Sequence, residues 1–204
     1  MKKILLGIVA VGAIALTGCD EASRLAGDVS GAWSSTPQML VNDPGSQATI
    51  VETIEFQRDS TSNGGAVIVS GLISSTGSTS GNEALMQPFE IAASARSTIS
   101  GTWKAIDDDD ITMALDVQSL NVEIDPTALV ITSNVLTGDT ESNPENVKPQ
   151  IAQMVRAAIQ RQLTARYASW TKLDDVKVKD KGTVLKFEVG KKDYVYHNQS
   201  PKTN

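Results

Sequence analysis

His197 is the single histidine of the 204-residue chain, so a Ser-His-Asp triad would have to be built on it. It lies beside the polar tail 198–204, where a general base is poorly held. Neither a Gly-x-Ser-x-Gly elbow nor a phosphate-cradling glycine loop accompanies it. His197 therefore reads as an exposed strand-end residue. Asp107 to Asp110 place four carboxylates in succession, and consecutive oxygens suit a hard cation. Calcium loops instead alternate their acids around a glycine bend and end on a distal glutamate, an arrangement absent here. Like charges between two one-sided strands mark a solvated hairpin turn. One Cys and one His exclude an internal disulfide and the usual structural zinc clusters. These residues predict a protein that is not an enzyme, with no catalytic residue, no metal and no cofactor.

A basic set remains. Lys148, Arg156, Arg161 and Arg166 fall in a stretch whose apolar residues recur near every 3.6 positions. At 100° per residue Lys148 and Arg166 coincide, Arg156 lies about 80° away, and Arg161 points elsewhere. The bases are thus not gathered on the polar arc, as a membrane-surface helix would have them. Arg156 and Arg166 border the apolar arc, where snorkelling along the margin of a helix–sheet contact is the expected role. The alternatives are a fork gripping a buried acid, for which Glu52 is a candidate, or a fork gripping the acid group of a ligand. With Trp103, these two arginines are the candidate ligand-binding residues.

The chain opens Met1-Lys2-Lys3, continues apolar from Ile4 to Leu16, and exits through Thr17-Gly18-Cys19. A basic start, a short apolar run and a small-residue exit are the parts of a secretory signal. Leu16-Thr17-Gly18-Cys19 resembles the lipobox of bacterial lipoproteins. The resemblance implies cleavage after residue 18 and lipidation of Cys19 with diacylglycerol and fatty acid, palmitate among the candidates. It also implies a location in the bacterial cell envelope, tethered to a membrane that faces the periplasm or the cell surface. Two or three acyl chains hold durably where one holds marginally. On this reading 1–18 is the signal peptide, 19–30 a lipidated tether with one helical turn at most, 31–197 a single β-rich domain, and 198–204 a polar tail.

Elements follow from the periodicity. Residues 33–47 read as a turn-rich loop, and Ser74 to Asn82 as a loop without a packing face. Ile50 to Phe56 alternates, with Glu52 interrupting its apolar positions, whereas Ala66 to Ile73 is apolar on both faces. Ile99, Trp103 and Ala105, then Ile111, Met113 and Leu115, then Leu120, Val122 and Ile124 describe an antiparallel meander with one wet face. Val176–Val178, Leu185–Val189 and Tyr194–Tyr196 repeat that pattern, for about nine or ten strands. Val147 to Trp170 is predicted to be one helix, capped by Asn146 and with Pro149 in its first turn. The fold expected is all-β and mainly antiparallel: a barrel or strongly curved sheet with one long helix, or alternatively a β-sandwich plus helix. Gly31-x-Trp33, echoed by Gly101-x-Trp103, resembles the Gly-x-Trp of lipocalins and lipocalin-like bacterial lipoproteins, which implies a ligand-holding barrel.

A hydrophobic share of 40% against 21% charged is that of a globular chain. A net charge of −6 argues against binding nucleic acid through phosphates. The functional expectation is a membrane-anchored, non-enzymatic module that binds a small apolar or amphipathic ligand. The alternative is an interaction lipoprotein, a subunit or inhibitor that meets a protein partner through its loops. Interior volume discriminates between them: a lumen filled by Trp33, Phe56, Trp103 and Met113 leaves no room for a ligand.

Overall fold

The computed structural model describes residues 17–79, 89–133 and 144–199, with the side chains of 21–78, 89–132 and 146–199. A helix α1 (Thr17–Val29) precedes β1 (Gly31–Ser35), β2 (Gln38–Asp43), β3 (Ser46–Arg58), β4 (Gly64–Thr79) and β5 (Phe89–Ala105). Then come β6 (Ile111–Leu115), β7 (Asn121–Ile124), β8 (Val130–Ser133), the helix α2 (Pro144–Ala168), β9 (Lys172–Lys179), β10 (Val184–Val189) and β11 (Lys192–Asn198). All strand pairs are antiparallel.

The sheet closes because β1 has two partners. Trp33 pairs with Asn198 of β11 on one side and with Ile54 of β3 on the other. The ring β1-β3-β4-β5-β6-β9-β10-β11 is therefore an eight-stranded barrel, and the sandwich alternative is excluded. The seam between β6 and β9 is short, with only Ile111↔Leu173 and Thr112↔Lys172 in register. By contrast β4 and β5 pair over their whole length, from Gly64↔Lys104 to Thr79↔Phe89. Sixteen residues at 3.3–3.4 Å each reach roughly 50 Å, longer than the barrel needs. Their distal halves run past the barrel as an open extension, edged by β2 on β3 and by β7 and β8 on β5. The helix α2 lies in the concave side of that extension, in contact with β7 and β8.

Several expectations are corrected. Residues 20–30 are not a tether, because α1 is a thirteen-residue helix. Ala22, Leu25, Ala26 and Val29, spaced i, i+3, i+4 and i+7, form one buried face over the barrel end where Phe56 and Trp103 lie. The supposed loop 33–47 contains β1 and β2. Only Pro44-Gly45 turns, with Pro setting the first corner and Gly45 at φ +79° the second. β4 continues through the serines to Thr79, since β5 supplies the pairing that its own sequence does not advertise, while 80–82 lie outside the described residues. The outer face of β4 is not covered, as Leu72 is 60% exposed. Eleven strands lie among the described residues, and α2 is already helical at Pro144, which places Pro149 inside the helix and removes the cap role of Asn146.

Candidate functional site

The barrel lumen is packed, not hollow: Trp33, Phe56, Trp103 and Met113 fill it, so by the interior-volume criterion the expectation of a ligand held inside the barrel is not met among the described residues. At the α1 end Phe56 meets Trp103 edge-on, with ring centres 5.2 Å apart, and the Trp33 indole donates to the Val29 carbonyl at 2.7 Å. Trp103 points inward with Ile99 and Ala105 while Lys104 is exposed, as the alternation predicted. At the other end Trp170 packs edge-on against Tyr167, Phe187 and Tyr194, and Phe187 stacks on Tyr194 and Tyr196. Even the gap at Gly71 is closed, because a Cβ there would stand 2.5 Å from Ser97 Oγ.

Within this aromatic end sits a buried acid. Glu52 is fully buried, and its carboxylate accepts four hydrogen bonds. Arg166 gives Nε to Oε1 at 2.8 Å and Nη2 to Oε2, a bidentate fork that also donates to Gln38 Oε1 at 2.8 Å. The hydroxyls of Tyr167 and Tyr196 each donate at 3.0 Å, to Oε1 and Oε2 respectively. The guanidinium carbon lies 5.4 Å from the Trp170 ring centre and 5.2 Å from that of Tyr194, so its faces are occupied as well. The snorkelling expectation is overturned for Arg166. Its side chain is 10% exposed and grips Glu52. Burial lowers the basicity of the guanidinium, but the hydrogen bonds and charge of Glu52 outweigh it and leave Arg166 more firmly protonated than usual.

Burial, and then the Glu52 charge, push the Tyr167 and Tyr196 hydroxyls well above the usual value of 10.0. An acid whose folded pKa is raised is ionised first in the unfolded chain. Its contribution is complete below pH ~10 and is lost as pH rises beyond that value toward the folded pKa. Melting temperature measured against pH should therefore fall above about pH 10, with tyrosinate absorbance rising in the same step. Tyrosinate signal from all three tyrosines in a still-folded protein would contradict this.

Arg156 stands elsewhere. It is exposed, on a cleft of about 450 Å³ between the first half of α2 and the β7–β8 connection. Ile124, Pro126, Leu129 and Ala152 form the apolar part of that cleft, and Lys148 is its second cation. The three candidate ligand residues are therefore spread over the α1 end, the aromatic end and this cleft. Cys19 falls in the first turns of α1, where side chains lie outside the described residues. His197 is exposed on β11. Asp107 to Asp110 form the β5–β6 turn, in which Asp107 Oδ1 accepts the backbone N–H groups of Asp109 and Asp110. Burial, then the neighbouring acids, raise the Asp109 carboxyl above its usual value. Lys172 bridges Asp110 and Asp174 at 2.6 Å each.

A site that sequence reasoning missed lies on the opposite flank of α2. The inward positions of β3 are large inside the barrel, Phe56, Ile54 and Ile50, and then shrink to Ala48 and Ser46. On β4 they pass from Val67, Val69 and Ile73 to Ser75 and Gly77. The space left by those small residues is a groove of about 330 Å³, walled on the helix side by Met154, Val155, Ala158 and Ile159. No protein-family model, curated protein or solved structure matches the chain. The reading of the groove thus rests on its own geometry. The change from large to small inward residues was visible in the sequence, but only a known register shows that both strands change at the same level.

Proposed function

We propose that the protein is a membrane-anchored, non-enzymatic binding module of the bacterial cell envelope, tethered through a lipidated Cys19. Its ligand is a small apolar or amphipathic molecule, held in the groove between α2 and the sheet extension. The observation that carries this reading is the contrast between a lumen filled with aromatic rings and a groove emptied by Ala48, Ser46, Ser75 and Gly77. Apolar walls with few polar groups are the usual make-up of a small-molecule site.

The test uses residues 19–204 with Cys19→Ser, which keep every buried core residue from Ala22 onward. A dye that fluoresces in apolar surroundings should bind with 1:1 stoichiometry, and Ala158→Trp, at an exposed helix position, should abolish the signal without lowering the melting temperature. Dye binding unaffected by Ala158→Trp would remove the groove from consideration. Exposed Met39 and Leu72, at 51% and 60%, favour the alternative of a protein partner, met on the outer face of the sheet extension rather than through the loops. That reading gains if no dye binds and Leu72→Ser releases a co-purifying protein.

A further inference from the structure

Resting on the groove as the ligand site, we infer that its occupant is a single apolar chain ending in a cationic or neutral polar group, and that Asp43 selects that end. The volume of the groove suits one chain. About 330 Å³ equals roughly eleven waters at ~30 Å³ each, about the space of one chain of ten to twelve carbons. The helix wall is apolar but for Gln162 at one end, with Met154 42% exposed, while the strand-tip wall offers the hydroxyls of Ser46, Ser75, Thr76 and Ser78. An amphiphile therefore has a direction in this groove.

The charge of the lining bears on the polar end. Asp43 is the only charged residue among the described lining of the groove. It ends β2 just before the Pro44-Gly45 turn, and its carboxylate makes no hydrogen bond or ion pair with a described residue. The cleft of about 430 Å³ on the other side of the same strand tips shares Ser46, Thr76, Gly77, Ser78 and Ile91 with the groove, and Glu90 is the one charged residue among its described lining. An anionic head in the groove would face the Asp43 carboxylate with no cation among the described lining residues to offset it, whereas a cation finds in Asp43 a counter-charge. Of the bases of α2, Lys148 and Arg156 line the cleft on the helix's opposite flank, whereas exposed Arg161 lies on the Met154–Ala158 side but outside the described lining of the groove.

The experiment compares three probes that share one chain: dodecyltrimethylammonium, dodecyl maltoside and dodecyl sulfate. Each is titrated below its micelle concentration, at low salt, into residues 19–204 carrying Cys19→Ser, with near-ultraviolet circular dichroism confirming that the fold persists. The ammonium probe should bind about three- to fivefold more tightly than the sulfate, the range expected for one solvent-exposed charge pair, and added salt should narrow the gap. Asp43→Asn should bring the two to parity, and Asp43→Lys should invert the order. Ala158→Trp should weaken all three about tenfold or more, by filling the groove. Equal or reversed affinities for ammonium and sulfate, with Ala158→Trp still blocking, would overturn the selection by Asp43 and leave the groove in place. Absence of binding by every probe, or binding indifferent to Ala158→Trp, would overturn the groove reading itself.

Discussion

Arg166→Met is expected to destabilise the domain by about 3–5 kcal/mol, because it strands a buried carboxylate. Glu52 is fully enclosed, and two of its four hydrogen bonds come from this one guanidinium. Methionine retains the apolar stem but leaves both oxygens short of a donor and the charge without a counterion. Arg166→Lys should recover only part of the loss, since an ammonium cannot present the two-pronged fork that also reaches Gln38. Glu52→Gln combined with Arg166→Met removes the charge together with its partner and should cost clearly less than the sum of the single changes. Arg156→Met, at an exposed position on the same helix, should stay within about ±0.5 kcal/mol. Urea unfolding of the five variants checks the set. Equal losses for Arg166→Met and Arg156→Met would show that the Glu52 pair contributes nothing to holding α2 in the barrel mouth.

Glu52 also shows how far the sequence could be read. An acid at the inward parity of a strand whose neighbours are Ile50, Ile54 and Phe56 must be paired if the strand is buried. An arginine bordering the apolar arc of the long helix is a natural partner. Choosing Arg166 over Arg156 needed the path of α2: its C-terminal turn enters the barrel mouth, while its middle lies over the open extension. The meander, the C-terminal hairpins and the long helix were legible because each has a strict apolar period. β2 and the distal half of β4 were not, since serines, glycines and a proline signal a loop unless a long neighbouring strand supplies their hydrogen bonds. α1 had a clear four-residue apolar face, Ala22, Leu25, Ala26 and Val29, obscured by its nearness to the segment that resembles a lipobox. Closure of the barrel could not be read at all. It depends on β1 bridging β3 and β11, partners about 20 and 160 residues away along the chain.

Trp103→Ala is the second large effect, with an expected cost of about 3–5 kcal/mol. The indole is 3% exposed, and it touches three parts of the fold at once. Its ring meets Phe56 of β3 edge-on, its Nε1 donates to the Gln57 carbonyl at 3.3 Å, and its backbone pairs with Met113 of β6 and Gly65 of β4. Truncation opens a cavity beneath α1 that the surrounding strands cannot close, because their positions are fixed by the ring of hydrogen bonds around the barrel. The neighbouring Lys104→Ala, on the wet face of the same strand, should be nearly silent. The pair also separates the two ends of the molecule. If the ligand sits beside α2, ammonium-probe affinity measured well below the lowered melting temperature of Trp103→Ala should match that of the parent chain, since the lost packing lies at the α1 end. Loss of probe binding in a still-folded Trp103→Ala protein would place the ligand in the lumen after all, and the Gly-x-Trp resemblance to lipocalins would then extend to the mode of binding.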